Sequence, residues 1–94
     1  MYARVVRFTD VTAETIDRVK AMVEEAGGPP PGVRSTSMKL FYDADQETAV
    51  FTGFFASEQD MRDADQIFEA MDPGDTPGVR ASVDHCEVVI EREA

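Results

Sequence analysis

The sequence predicts an α+β fold in which four strands and two helices follow the order β-α-β-β-α-β. Two amphipathic helical patterns, each with clear capping signals, separate four segments rich in β-branched and aromatic residues. A weak internal repeat supports this count, because Pro-Gly-Val-Arg at 31–34 recurs at 77–80 and the helical stripes superpose at an offset of 45. Two such βαβ halves close into a ferredoxin-like, four-stranded antiparallel sheet with strand order 4-1-3-2.

The first half begins with a strand over 2–8, followed by a helix that starts at Thr12. Threonine is a good N-cap, and Ile16 and Val23 lie on an apolar stripe at helical spacing. Gly27 can take the left-handed conformation that ends a helix, and three prolines shortly after it prevent continuation. The end of this helix is therefore well defined.

The second half contains a hairpin, a second helix and a last strand. Strands are predicted over 33–42 and 48–56, and the short polar segment between them implies an antiparallel connection. Ser57 is the predicted N-cap of the second helix. The last strand is predicted over 79–91, and its uneven alternation suggests a bulge around His85.

Composition fits an ordinary globular protein and argues against several partners. The 94 residues correspond to one domain spanning 1–94, and 43% hydrophobic residues exclude a disordered acidic tail. A net charge of −10 argues against binding to nucleic acid or anionic membranes. Because the chain has a single cysteine, no signal-peptide pattern and no apolar run of bilayer length, we expect a cytoplasmic protein.

The third strand is apolar on both faces, yet the predicted fold covers only one. Val50 and Phe54 lie on one face, and Phe51 and Phe55 lie on the other. Both crossovers of this fold are right-handed, so both helices lie on the same side of the sheet. Each large apolar side chain left in water forfeits about 1.5–3 kcal/mol. We therefore expect a homodimer that packs sheet against sheet.

A family resemblance is carried by four segments: MYARVVRF, LFYDADQETA, TGFFASEQDMRDAD and VDHCEVVIE. Together they resemble the antibiotic biosynthesis monooxygenase-like (ABM-like) proteins of the dimeric α/β-barrel superfamily. The most specific piece joins the third strand to the second helix, where members often hold a Trp at the position of Phe55. The resemblance implies that two chains form one dimeric α/β barrel.

The activities implied by this resemblance are diverse. Members include cofactor-independent oxygenases of polycyclic aromatic substrates, quinol oxygenases and haem-degrading enzymes. The haem-degrading members use a Trp, an Asn and a helical His, whereas this chain has no Trp, no Asn and its single His in the last strand. The resemblance therefore implies a small cofactor-independent monooxygenase acting on an aromatic or quinol-like substrate. The alternative is a non-catalytic small-ligand-binding or protein-interaction module, because fold kinship transfers no activity.

Candidate site residues gather at one end of the predicted sheet, beneath the second helix. His85 is the candidate general base, because histidine alone has an unperturbed pKa near neutrality, although its strand neighbours face away from it. Tyr2, Arg4, Arg34 and Phe55 are expected nearby, with Phe55 as an aromatic wall and Arg34 as the anion partner. Such a lining suits a flat phenolic or anionic ligand. The structural alternative is that the aromatics are core and His85 is a partly buried histidine.

Other motifs predict no site. Cys86 follows His85 directly, but adjacent residues of a strand face opposite ways, so this cysteine is expected to be a small buried filler and not a nucleophile. The hairpin tip at 43–47 begins like a calcium loop but has Thr48 and Phe54 where that loop needs Gly and Glu. The chain has no CxxC, HExxH or GxGxxG pattern, so we expect no metal and no cofactor. The seven acids of 57–78 are expected to form a solvated outer face.

Overall fold

The computed structural model describes residues 1–71 and 77–93 and shows the predicted element order. The four strands form one antiparallel sheet in the order β2-β3-β1-β4, which reads 4-1-3-2 from the opposite edge. This architecture is consistent with a ferredoxin-like fold. Its elements are β1 (Tyr2–Thr9), α1 (Ala13–Ala26), β2 (Ser35–Asp43), β3 (Thr48–Phe55), α2 (Glu58–Glu69) and β4 (Val79–Glu87).

Both helices begin at the predicted caps. Thr12 and Ser57 have extended backbones, and their side-chain oxygens accept hydrogen bonds from the backbone N–H groups of Thr15 and Asp60. Each cap thereby satisfies a donor that the first helical turn leaves without a partner. The helix α1 ends at Gly27, whose φ of 71° lies in the left-handed region that glycine adopts at little cost. These local signals place both helix starts and the end of α1.

The last strand differs from its prediction in two ways. It ends at Glu87, because its neighbour β1 begins opposite this residue and offers little further backbone to pair with. Its bulge lies at Ala81 rather than around His85, because the register with β1 shifts between Arg7 and Phe8. The strand is regular at His85, so the position of that side chain follows directly from the ladder.

One face of the sheet carries both helices, and we call it the helix-covered face. Ile16 of α1 packs with Val6 in one core cluster, and Met61 and Ala64 of α2 pack with Phe55 in a second. Both helices therefore lie on the same side, as the handedness of the crossovers requires. The principal strand residues of this face are Tyr2, Arg4, Val6, Phe8, Leu40, Tyr42, Ala49, Phe51, Phe55, Val83 and His85.

The opposite face, which we call the helix-free face, has no helix packed against it in residues 1–71 and 77–93. Phe41 is 53% exposed there, and Cys86 is exposed rather than buried as expected. The cysteine is exposed because it lies on the edge strand and faces away from the helices. Three cross-strand rows form this face: Ser37, Phe54, Ala3 and Cys86; Lys39, Thr52, Val5 and Asp84; and Phe41, Val50, Arg7 and Ser82.

The apolar stripe of α1 is buried only near its N-terminus. Ile16 is 7% exposed, whereas Met22 is 49% and Val23 37% exposed. The C-terminal half of the helix therefore contributes little to the core. Neither helix of the described residues has the length and apolar character that a membrane crossing requires.

Candidate functional site

The sheet brings four of the five predicted site residues together on the helix-covered face. Tyr2 pairs with Phe55 between β1 and β3, and Arg4 pairs with His85 between β1 and β4. Residues two apart on a strand share a face, so these two pairs are neighbours. Arg34 immediately precedes β2 and is exposed. The structure thus groups the predicted base with an arginine and two aromatic residues.

Phe55 lies in the hydrophobic core. It is 1% exposed and packs with Val33, Met61 and Ala64, while Tyr2 is half-buried against the same cluster. These contacts agree with the alternative in which the aromatic residues belong to the hydrophobic core and do not line a ligand pocket. They anchor the N-terminal part of α2 over one end of the sheet.

Arg4 is a buried cation held between the sheet and α2. Its side chain is 6% exposed, its Nε donates to Asp65 Oδ1 at 2.8 Å, and its Nη2 donates to Glu69 Oε1 at 3.2 Å. The guanidinium carbon lies 4.9 Å from the centre of the Phe68 ring, within the range of a cation–π contact. A buried guanidinium needs such partners, because a charge removed from water without compensation is costly.

His85 is also in contact with Asp65. Its Nε2 lies 2.9 Å from Oδ1 of this carboxylate, and 39% of the histidine side chain is exposed. An imidazole nitrogen that faces a carboxylate carries the proton, which leaves Nδ1 as the hydrogen-bond acceptor. Asp65 of α2 therefore supplies an orienting carboxylate for His85 of β4.

The sequence contains a signal for Asp65 that the motif search missed. Asp65 and Glu69 follow Met61 at successive i+4 positions, so they continue the helical row of a buried side chain. Polar residues on the flank of an apolar helical stripe lie at the edge of the contact with the sheet. That spacing points both carboxylates toward β1 and β4.

Glu69 completes the charged cluster, which consists of Arg4, Asp65, Glu69, Arg80 and His85. Arg80 binds Glu69 through two nitrogens, with Nη1–Oε1 at 2.6 Å and Nη2–Oε2 at 3.1 Å. Planar guanidinium groups favour this bidentate geometry with carboxylates. Two anions from α2 are thus balanced by cations from β1 and β4.

The expectation of a wholly solvated acidic face is wrong for two of the acids in 57–78. Asp65 is 28% and Glu69 43% exposed at the side chain, and both bind cations of the sheet. The remaining acids of α2 fit the expectation better, since Glu58 is exposed and pairs with Arg62 of the same helix. Two of the seven acids, Asp72 and Asp75, lie in the segment 72–76, outside the described residues.

The environment of the cluster keeps both carboxyl groups ionised at neutral pH. Burial raises the pKa of Asp65, but hydrogen bonds from Arg4 and His85 together outweigh it, so this pKa lies below its ordinary value. The hydrogen bond from Arg80 lowers the pKa of Glu69, and the same bond raises the pKa of Arg80.

A shallow concavity of about 200 Å³ lies at the hairpin end of the helix-free face. None of the five predicted site residues lines it. Elsewhere in residues 1–71 and 77–93, no three His, Cys, Asp or Glu side chains are arranged to hold a metal ion. The lining residues of the concavity are Arg7, Phe41, Tyr42, Asp43, Gln46, Thr48 and Val50.

No protein-family model, curated protein or solved structure matches this chain at a significant level. The ABM-like resemblance therefore stays a prediction from its four segments. The candidate site has to be judged on its own geometry.

Proposed function

We propose that this chain is an ABM-like protein that performs acid–base chemistry on an aromatic or quinol-like substrate, as a small cofactor-independent monooxygenase. The observation that carries the proposal is the contact between His85 and Asp65. From the residue pattern alone the enzyme and the binding module were equally supported, because no base had a partner. The orienting carboxylate and the accessible imidazole favour the enzyme.

In the proposed reaction, the protein removes a proton from the substrate. Nδ1 of His85 accepts the proton of a phenolic or quinol hydroxyl, and Asp65 stabilises the imidazolium that forms. The resulting phenolate is the electron-rich form that supplies the electrons to dioxygen, the second substrate, so that one oxygen atom enters the product, which is oxidised to a quinone, and the other leaves as water.

The proposed functional unit is a homodimer. Val5, Val50 and Phe54 are only half-buried on the helix-free face, and Phe41 of the same face is 53% exposed. A contiguous apolar sheet surface of this kind is typical of an interface. Packing of a second copy on this face buries it and leaves the charged cluster accessible on the other side of the sheet.

A non-catalytic small-ligand-binding or protein-interaction module is the second candidate. It is favoured by the use of Arg4 and Phe55 in internal contacts, since neither side chain is available to a ligand in this structure. This candidate predicts that some small aromatic molecule or protein raises the melting temperature without being converted.

Oxygen uptake with a panel of phenols and quinols tests the enzyme proposal. His85→Ala should lower the rate at least about 100-fold, as expected for loss of a general base. Asp65→Asn should lower it by about tenfold, as expected for loss of an orienting partner. Asp63→Asn is the matched control, because Asp63 lies on the same helix, is exposed and accepts a hydrogen bond from Gln59 of that helix.

The outcomes separate the two candidates. An activity that survives His85→Ala unchanged contradicts the assigned base. A panel that gives no oxygen uptake but raises the melting temperature supports the binding module instead. The ¹⁵N chemical shifts of His85 give a readout besides activity: the wild type should show the tautomer protonated at Nε2, and Asp65→Asn should mix the two tautomers.

A further inference from the structure

The helix-free face carries opposite charges at its two edges. Lys39 lies on the edge strand β2, Asp84 lies on the edge strand β4, and both are exposed. They occupy one cross-strand row, because Lys39 pairs with Thr52, Thr52 with Val5, and Val5 with Asp84. If a second copy covers this face, each of these two charged side chains lies opposite a residue of the partner, and the orientation of the partner decides which residue that is.

Two arrangements with aligned sheets are available to a symmetric dimer. The two-fold axis lies in the plane between the sheets, either nearly along the strands or nearly across them. An axis along the strands keeps each row against the same row of the partner but exchanges the edges, so β2 faces the partner's β4. An axis across the strands keeps each edge against itself and exchanges the outer rows.

We propose that two copies pack with the two-fold axis along the strands, so that Lys39 lies against the partner's Asp84. This inference rests on the homodimer of the proposed function and specifies its geometry. Aligned sheets lie about 10 Å apart, a gap that a long lysine side chain can cross. The other axis places Lys39 against the partner's Lys39 and Asp84 against the partner's Asp84.

The sizes of the side chains in the two outer cross-strand rows of the helix-free face also favour the axis along the strands. With the axis along the strands, Phe54 faces the partner's Ala3 and Phe41 faces the partner's Ser82, so both phenylalanines meet small side chains, while Val50 faces the partner's Arg7. Interdigitation of large and small residues is how packed sheets reach interior density. With the axis across the strands, Phe41 still faces a small residue, the partner's Ser37, but Phe54 faces the larger Val50 of the partner.

The charges act mainly by excluding the wrong arrangement. An exposed ion pair contributes little affinity, because water and salt screen the attraction. Like charges forced together at an interface are costly, and the across-strand axis creates such contacts at both edges. Lys39 and Asp84 therefore determine the orientation of the dimer more than its strength.

Chemical cross-linking through the native Cys86 tests the orientation. With the axis along the strands, Cys86 faces the partner's Ser37, whereas with the axis across the strands it faces the partner's Ser82. Ser37→Cys should therefore give a covalent dimer with a short bifunctional maleimide, and Ser82→Cys should give several-fold less. The reverse preference, or no covalent dimer from either variant of a dimeric protein, overturns the inference.

Charge reversal supplies an independent test. Lys39→Asp and Asp84→Lys should each weaken dimerisation about tenfold through like-charge contacts, and the double variant should recover to within about threefold of the wild type. Lys20→Asp is the control, because Lys20 is exposed on α1. Additive loss in the double variant overturns the proposed axis. A wild-type chain that stays monomeric at millimolar concentration contradicts the homodimer itself, and therefore also the inference.

Discussion

The two faces of the sheet come from the same strands but are completed in different ways. On the helix-covered face Arg4 is buried with two carboxylates, and Phe55 is 1% exposed. On the helix-free face Arg7 is exposed, and Phe41 is 53% exposed. Successive side chains of one strand thus alternate between the packed core beneath the helices and a face that no helix covers. Contacts within the chain therefore complete one face and leave large apolar side chains of the other face half-buried or exposed.

The largest expected difference between the faces concerns two adjacent phenylalanines. Phe55→Ala should lower the free energy of unfolding by about 3–5 kcal/mol, because it opens a cavity in the core under α2. Phe54→Ala should lower it by less than about 1.5 kcal/mol in the dilute monomer, because that side chain faces away from the helices. Urea denaturation followed by circular dichroism measures both values.

Protein concentration provides the control for that pair. The midpoint of Phe54→Ala should approach the wild-type midpoint on dilution, since in the proposed dimer its loss arises at the interface between copies. Equal losses for the two variants at every concentration would contradict the separation of the faces.

The second difference concerns two arginines of β1. Arg4→Met should destabilise the fold by about 3 kcal/mol, because it leaves Asp65 and Glu69 close together without their shared cation. Arg7→Met should change the stability of the dilute monomer by less than about 0.5 kcal/mol, because Arg7 is exposed. Thermal unfolding of the two variants side by side checks this. Similar shifts in melting temperature would show that the charged cluster contributes no stability.

Acid pH should act on the covered face through the same cluster. The pKa values of Asp65 and Glu69 are lowered in the folded protein, so the unfolded chain binds protons more readily. Their stabilising effect is complete above the unfolded carboxyl pKa of about 4 and is lost as the pH falls through the lowered folded values. The melting temperature should fall below about pH 5. Arg4→Met should make the melting temperature fall less steeply with decreasing pH, whereas Arg7→Met should leave the slope unchanged. If both variants had the same slope of melting temperature against pH, Asp65 and Glu69 would not be the groups responsible.

The fold could be predicted from the sequence to the extent that its signals are local. The N-caps Thr12 and Ser57 and the left-handed Gly27 depend on a few neighbouring residues, and the structure confirms all three. The alternation of β3 also indicated correctly that one apolar face would lack helices. The bulge at Ala81 was placed wrongly, because it depends on pairing with β1 rather than on the alternation of β4.

The candidate site was less predictable because it depends on contacts between distant elements. Arg4 and Asp65 are 61 positions apart in the sequence and meet only after α2 docks on the sheet. Which helical residues face the strands depends on how the helix is rotated, and composition alone made all the acids look alike. The i+4 spacing from the buried Met61 contains this information.

The smallest expected difference concerns two serines. Ser57→Ala should cost about 1 kcal/mol, because the Ser57 hydroxyl caps the helix that holds Asp65 and Glu69. Ser82→Ala on the helix-free face should change the stability of the dilute monomer by less than about 0.5 kcal/mol. Urea denaturation at low protein concentration checks the pair. A larger loss from Ser82 than from Ser57 would reverse the comparison.

Sedimentation velocity of the wild type and of Phe54→Asp tests the role of the helix-free face most directly. A carboxylate at this position is tolerated on a surface facing water but is costly inside an apolar interface. The wild type should sediment as a dimer at micromolar concentration, and the variant should sediment as a folded monomer with the circular dichroism spectrum of the wild type. A monomeric wild type, or a variant that still dimerises, would contradict the assignment of this face as the interface.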